Sequence, residues 1–258
     1  MKLRTLLSTL TLSTALAASA GAAQFKALLI TKTDGWHHDS IAAAVPAMQD
    51  LAKLHDFELV WPNSLGMVLN DNYLADVDVI IFALTTGDIL DDAQQAAVEK
   101  FVQNGGGLVG VHAGGADTEY DWDWWTKAFG HMFHIHPAVQ TATVEVLEPN
   151  FPGMDRFAPR FLFTEEWYEF DAPRTDGLNY LLAVDEDTYD IRANWGSKQS
   201  QGMGDLHPLS WFHEYDGGRV FYSAFGHLPA TWNEDRFLHH VYGGIYWAAT
   251  GKGFRAAK

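Results

Sequence analysis

The residues best suited to chemistry lie in Gly107-Leu108-Val109-Gly110-Val111-His112-Ala113-Gly114-Gly115, an apolar strand running into a glycine-rich turn with one side chain, His112, at the bend. In an α/β protein, such a turn at the carboxyl end of a strand is where ligands bind and nucleophiles sit. The chain has no cysteine. An imidazole at the elbow therefore points to proton transfer or metal binding and away from acyl-enzyme chemistry. Further histidines fall where strands should end: His37 and His38 before Asp39, the set His131, His134 and His136, then His207 ahead of Pro208, and His227 in Gly226-His227-Leu228-Pro229. Of the twelve, only His55, His239 and His240 fall inside expected helices away from loops.

Neutral imidazole with a carboxylate companion is a common donor set for zinc and similar ions, and Asp117, Glu119, Glu165 and Glu166 are at hand. No compact metal spacing such as His-Glu-x-x-His is present, so a metal site would be assembled from distant loops. The alternative is metal-free chemistry, in which one group removes a proton and another protonates a leaving oxygen. For His37, His131, His134 and His213 the ordinary reading is a loop imidazole bonded to backbone. Within Glu165-Glu166-Trp167-Tyr168-Glu169, strand geometry places Glu166 and Tyr168 on one face. A carboxylate and a phenol there suit a sugar hydroxyl or a metal; a solvated edge strand is the other reading. Tyr120-Asp121-Trp122-Asp123-Trp124-Trp125 follows the elbow and either walls the site or packs as one face of a helix.

The elements that must position these groups alternate between strand and helix. Lys26 to Thr31 is a near-continuous apolar run, as a parallel strand buried on both faces requires. Asp39 or Ser40 can cap a helix through about His55, with Pro46 near its first turns. Phe57 to Trp61 and Val77 to Ala83 read as strands. Asp91 with Gln94 resembles a capping box for a helix ending at Asn104, and Leu108 to Val111 is the fourth strand. The second half predicts strands over Val139 to Leu147, Phe161 to Phe170, Leu178 to Val184 and Arg219 to Ala224, and a closing helix over Glu234 to Thr250. The fold class is α/β, a doubly wound, mostly parallel sheet with added antiparallel strands in the second half. Loops after successive parallel strands converge on one edge, so the scattered imidazoles are expected to share one crevice.

Residues 1–23 read as a secretory signal, with Lys2 and Arg4, a short apolar stretch to Ala17 and a small-residue cleavage region. Export to the periplasm or beyond follows, with no membrane attachment after cleavage, and 24–258 as a single domain. Without cysteine, no disulfide stabilises that domain. A formal charge of −16 argues against nucleic acid and anionic membrane as partners, since both call for basic patches. Ten Trp and nine Tyr suit stacking on sugar rings, and equally core packing. A homo-oligomer stays open.

Several motifs occur in a fixed order: Thr31-Lys32-Thr33 with His38-Asp39-Ser40-Ile41, Gly105 to His112, Phe133-x-x-His136-Pro137, Glu166-x-Tyr168, His207-Pro208-x-x-Trp211, and Gly218-Arg219-Val220-Phe221-Tyr222 to Gly226-His227. This ordered set resembles the trehalose-utilisation (ThuA-like) family from about Lys26 to Gly253. That family looks like the class I glutamine amidotransferase fold, which would put His112 where the amidotransferase has its cysteine and His227 near its catalytic histidine. Amidotransferase chemistry is excluded here, because neutral imidazole does not replace a thiolate attacking an amide. The resemblance implies disaccharide catabolism linked to a sugar 3-dehydrogenase. A 3-keto group acidifies the C2 hydrogen, so a base can remove it while the oxygen on C1 leaves. The expected function is cleavage or rearrangement of a 3-keto-glycoside, with the ketone polarised by a His or by zinc, manganese or iron. On that basis His112, His227 and Glu166 are the catalytic candidates. His38, Asp39, Asp117, Trp122, Tyr168 and Trp211 are expected to bind substrate, and His112, His136, His207 and His227 to hold any metal. A non-catalytic sugar-binding protein is one alternative. A conventional glycosidase is another, and needs two carboxylates ~5–10 Å apart.

Overall fold

A computed structural model describes residues 23–254 of the chain; the expected export signal, residues 1–23, lies outside the described residues but for its last position. The apolar runs of the first half become β1 (Lys26–Ile30), β2 (Glu58–Val60), β3 (Val79–Ala83) and β4 (Gly107–Val111). Between them lie α1 (Ile41–His55), the single turns α2 (Leu65–Val68) and α3 (Asp71–Leu74), and α4 (Asp92–Gln103). Every residue of β3 and β4 is buried, which is why those runs are unbroken in apolar residues. The capping box of α4 forms as expected: Gln94 N–H donates to Asp91 at 2.9 Å, and Asp91 N–H donates to the Gln94 side chain at 3.2 Å. At α1 the expected side-chain cap is absent. The Ser40 hydroxyl is buried without a partner, and the backbone carbonyls of His38 and Asp39 accept from Ile41 and Ala42 instead. Pro46 lies inside α1 without ending it.

After the elbow come α5 (Ala113–Ala116), α6 (Asp123–Phe129), β5 (Phe133–Ile135), β6 (Gln140–Val146), β7 (Arg160–Glu165), β8 (Glu169–Phe170), β9 (Asn179–Val184), β10 (His207–Tyr215), β11 (Gly218–Ser223) and α7 (Asp235–Thr250). The nine-stranded sheet has the order β2-β1-β3-β4-β11-β10-β9-β6-β7. Its first five strands are parallel, and the last four join by antiparallel pairing. Each antiparallel step reverses direction, so β9 and β7 again run the same way as β4. The carboxyl ends of β1, β4, β11 and β7 and the amino end of β10 therefore open on one edge. On β4, a Cβ added to Gly107 would meet Ala248 of α7, and one added to Gly110 would meet Phe129 of α6. Positions three apart on a strand face opposite ways, so α6 and α7 cover opposite faces of the sheet.

Two expectations change. His207 to Tyr215 is a nine-residue strand, although Pro208 argues against one. The ladder accommodates it because the register shifts between Pro208 and Ser210, a bulge where a missing N–H is tolerated. The strand expected from Phe161 to Phe170 breaks after Glu165, and β8 pairs with β5 in a separate two-stranded sheet. The break has a cause: the Glu165 carboxylate accepts from Gly226 N–H (2.9 Å), Leu228 N–H (3.2 Å) and the Thr231 hydroxyl (2.9 Å). That ties the end of β7 to the loop after β11 and sends Glu166-Trp167-Tyr168 across the strand ends. No helix of the described residues is long and apolar enough to cross a membrane.

Candidate active site at the strand ends

His112 leaves β4 with φ 57° and ψ −118°, a conformation that costs a non-glycine residue ~1–3 kcal/mol. Its surroundings impose that shape. The backbone N–H donates to Ser223 O at 2.7 Å, and its carbonyl accepts from the Tyr222 hydroxyl at 2.6 Å. The ring Nδ1 lies 2.8 Å from Ala224 O. Two residues on, a Cβ at Gly114 would overlap the Phe82 carbonyl, so only glycine lets the turn pack this closely. A carbonyl can only accept, so Nδ1 carries the proton and Nε2 presents a lone pair. That lone pair meets the Tyr168 hydroxyl at 2.8 Å. Burial, then the neighbouring His38, holds the ring well below the usual imidazole range, while burial lifts the Tyr168 phenol well above its own. The pair is a neutral imidazole accepting from a neutral phenol.

His38, after β1, and His227, after β11, pack against His112, with ring centroids 4.8 Å and 5.3 Å away and 5.7 Å from each other. Burial and then His227 push His38 down to about 4, and its Nδ1 is buried without a hydrogen-bond partner. Glu166 closes the group. Its Oε2 lies 2.9 Å from His227 Nδ1 and 3.6 Å from His112 Nε2, and its Oε1 lies 3.3 Å from His136 Nε2. The His227 approach is short but poorly aligned, leaving Nδ1 without a hydrogen bond in the strict sense, so charge proximity dominates. Burial lowers His227, but adjacent Glu166 outweighs it and the net shift is upward. One ligand atom from each of His38, His112, Glu166 and His227 lies within 4.8 Å of the others.

His38, Glu166, His227 and Tyr168, with His112 buried behind them, form the floor of a cleft of about 400 Å³, walled by Trp36, Phe133 and Trp195 with Asp117 and His136 at its sides. Trp36 is 72% exposed and Trp195 49%, and the Trp195 ring meets the His136 ring edge-on at 4.8 Å. Glu169 fixes the Trp195-bearing loop by accepting from the Ser200 hydroxyl (2.7 Å) and Gly202 N–H (3.0 Å). The three glutamates of one short segment thus have separate tasks: Glu165 holds the His227 loop, Glu166 faces the cleft and Glu169 holds the Trp195 loop.

Of the expected site residues, His112, His227, Glu166, His38, Tyr168, His136 and Asp117 come together here. Asp117 accepts from the Tyr120 hydroxyl at 2.9 Å and is raised by burial. Four expectations are corrected. His207 is spent on scaffold: its Nε2 donates to Tyr168 O at 2.8 Å and its Nδ1 lies 2.7 Å from Glu186, outside the cleft lining. Trp211 is fully buried, donates to Phe129 O at 2.7 Å and stacks on Tyr222. Trp122 stacks on Trp124 and Trp125, with centroids 5.0 Å and 5.6 Å away, which is the helix-face packing alternative. Asp39 is exposed and does not line the cleft. Trp36, Phe133 and Trp195 were not foreseen as lining residues. The signal for Trp195 was present in Asn194-Trp195-Gly196-Ser197, a lone tryptophan in a polar segment with no core to fill.

Fold and cleft together define an α/β protein whose histidine–carboxylate site lies at the carboxyl ends of a mostly parallel sheet. The chain belongs to the ThuA family, described as Trehalose utilisation, whose profile matches residues 26–248. Among solved structures it is similar to a ThuA-like protein from Bacteroides uniformis ATCC 8492 (21% identity, TM-score 0.71, covering 93% of this chain and 96% of that one). A ThuA-like protein from Parabacteroides merdae ATCC 43184 is also similar (18%, 0.70, 90% and 92%). The fold recurs in a beta-galactosidase from Bacillus circulans sp. alkalophilus (11%, 0.53), where the match covers 88% of this chain but 31% of that longer one. No curated protein matches the sequence. Family membership gives the chain a carbohydrate-related function.

Proposed function

We propose that the cleft cleaves glycosides whose sugar carries a 3-keto group, by removal of the C2 proton and expulsion of the oxygen on C1. The observation that carries this reading is the His136–Glu166 pair opening into an aromatic-walled, sugar-sized cleft. His136 Nδ1 lies 2.8 Å from Pro137 O and must donate to it, so the neutral ring turns its Nε2 lone pair outward. That nitrogen takes the C2 proton, and Glu166 stabilises the resulting imidazolium. The Tyr168 phenol, kept protonated by burial, turns its hydroxyl from His112 Nε2 to the ketone oxygen as charge develops there. The C2–H and C1–O bonds break, a C1=C2 bond forms, and the proton on His136 passes to the departing oxygen. Water adding across the new double bond then returns the free 3-keto sugar. On this reading a sugar 3-dehydrogenase would supply the substrate, and residues 1–23, with the pattern of an export signal, support an encounter outside the cytoplasm.

The test is release of a chromogenic alcohol from a 3-keto-glycoside and from its unoxidised parent, with a C2-deuterated substrate beside them. Release from the oxidised compound alone, slowed by deuterium, is the expected result. Equal turnover of the parent sugar would return the protein to conventional glycoside hydrolysis.

A further inference from the structure

The geometry points to a divalent transition-metal site formed by His38, His112, Glu166 and His227, a donor set different from the one the sequence suggested. Each residue follows the carboxyl end of a different strand, β1, β4, β7 and β11, so the site is a product of topology and no spacing motif could reveal it. Three donors are nitrogens and one is a carboxylate, and their ligand atoms lie within 4.8 Å of one another. Such a set suits zinc, or iron or manganese with open positions for substrate.

Three observations argue that these groups face an ion and not merely one another. His112 Nδ1 is committed to Ala224 O, which fixes the tautomer and aims the Nε2 lone pair at the group. His38, 95% buried by its 5% exposure, keeps Nδ1 without a partner, and an orphaned buried nitrogen is costly unless something satisfies it. The buried Glu166 carboxylate has no lysine or arginine beside it in the cleft lining and faces only imidazoles, so a bound cation is the counter-charge that leaves those rings neutral as ligands. The acidic cluster Asp88, Glu119 and Asp121 offers a contrast. There the Glu119 carboxylate is already saturated by Ile89 N–H, Leu90 N–H and the Gln95 amide, and it needs no ion. The expected ligands His136 and His207 drop out because neither belongs to the group: His136 Nε2 reaches only Oε1 of Glu166, and His207 bonds Tyr168 O and Glu186 outside the cleft lining.

An ion on His112 Nε2 takes the lone pair that now accepts from Tyr168, and frees that hydroxyl to donate into the cleft. Ion binding stands on the residues alone; its use in polarising a ketone rests on the proposed function. The test uses the full chain stripped with a chelator, dialysed against zinc or manganese and assayed by elemental analysis, with cobalt substitution as a spectroscopic probe. About one ion per chain is expected. Glu166→Gln and His38→Asn, checked for folding by circular dichroism, should each bind about 100-fold more weakly, whereas His134→Ala should bind like the parent. A chain that takes up no ion, or variants that bind as tightly as the parent, would overturn the site. The two readings separate cleanly: a loaded protein that leaves 3-keto-glycosides intact keeps the site and loses the substrate, whereas a stripped, ion-free protein that still releases the alcohol keeps the substrate and removes the ion from the chemistry, the site then standing or falling on ion uptake.

Discussion

Two groups of buried histidines share this molecule and differ in one respect. His131, His207 and His213 are 1–3% exposed, and His38 and His112 are 0–5% exposed, so burial does not separate them. Burial also lowers the proton affinity of His131 and His213, just as it does for His38 and His112. What separates them is the company the rings keep. His131 bonds Asp171 O at 2.7 Å and the Tyr180 hydroxyl at 3.0 Å, and His207 engages Glu186 and Tyr168 O. His112 bonds Ala224 O and the Tyr168 hydroxyl in the same way, but its Nε2 also stands 3.6 Å from Glu166 and its ring packs against His227 and against His38, which keeps Nδ1 unpaired. A buried imidazole held among backbone and core groups is scaffold; one gathered with other imidazoles around a carboxylate is a site.

The sharpest way to break that division is to exchange members of the two groups. Asn tolerates the positive φ at position 112, so His112→Asn keeps the elbow and removes Nε2. We expect kcat/KM on a 3-keto-glycoside to fall about 10³-fold with circular dichroism unchanged. His207→Gln, which only props the Tyr168 backbone, should lose about 10-fold in the same assay; equal losses would erase the distinction. His136→Gln comes next. Removing the base should cost about 10²-fold in kcat with KM nearly unmoved, and a KM effect without a kcat effect would make His136 a binding group.

Most of the sheet was legible because β1, β3 and β4 are buried on both faces and carry unbroken apolar runs. β10 was hidden because its sequence mixes Pro208, Ser210 and His213 with aromatics, and its pairing comes from partners on both sides. The elbow at His112 could be read from local pattern; Glu166 and Tyr168 do line one cleft, but from a segment beyond the strand that was expected to align them. The partition of the remaining histidines could not be read, because it depends on which groups each ring meets across the fold, a tertiary fact. The same holds for the tryptophans. Trp122 and Trp211 looked like walls because they lie near the motifs; Trp211 is core because β10 turns it inward, and Trp122, half-buried ahead of α6, is spent on Trp124 and Trp125.

His240 tests the division at its boundary. Ser210 donates its hydroxyl to Tyr222 O, so His240 Nε2 must donate to Ser210 at 3.0 Å, and Nδ1 is left without a partner. Yet its neighbours are the rings of Phe157 and Phe221, not further donors, so no ion or substrate is served. Burial, followed by His239, pushes this ring down to about 3. The unfolded chain therefore binds a proton that the folded chain refuses between the ordinary imidazole value and that point, and stability from this group is full at neutral pH and lost on acidification. The contribution is about 2 kcal/mol between pH ~7 and ~5. In His240→Gln, the difference between denaturant midpoints at those two pH values should shrink accordingly, with turnover retained. An unchanged acid slope would mean that the ring finds a proton acceptor when charged.

The smallest expected effect falls on Trp195, which is 49% exposed and stands over His136. Trp211, by contrast, is fully buried with its N–H satisfied, and so has nothing to offer a ligand. An exposed aromatic face beside a catalytic pair gains its area only when a sugar ring covers it, at about 1 kcal/mol. Trp195→Ala should therefore raise KM about 5-fold, leave kcat within about 2-fold and shift stability by less than about 0.5 kcal/mol. A fall in kcat with KM unmoved would recast Trp195 as the side chain that holds the His136 ring in place. Its edge contact at 4.8 Å would then be positioning and not recognition.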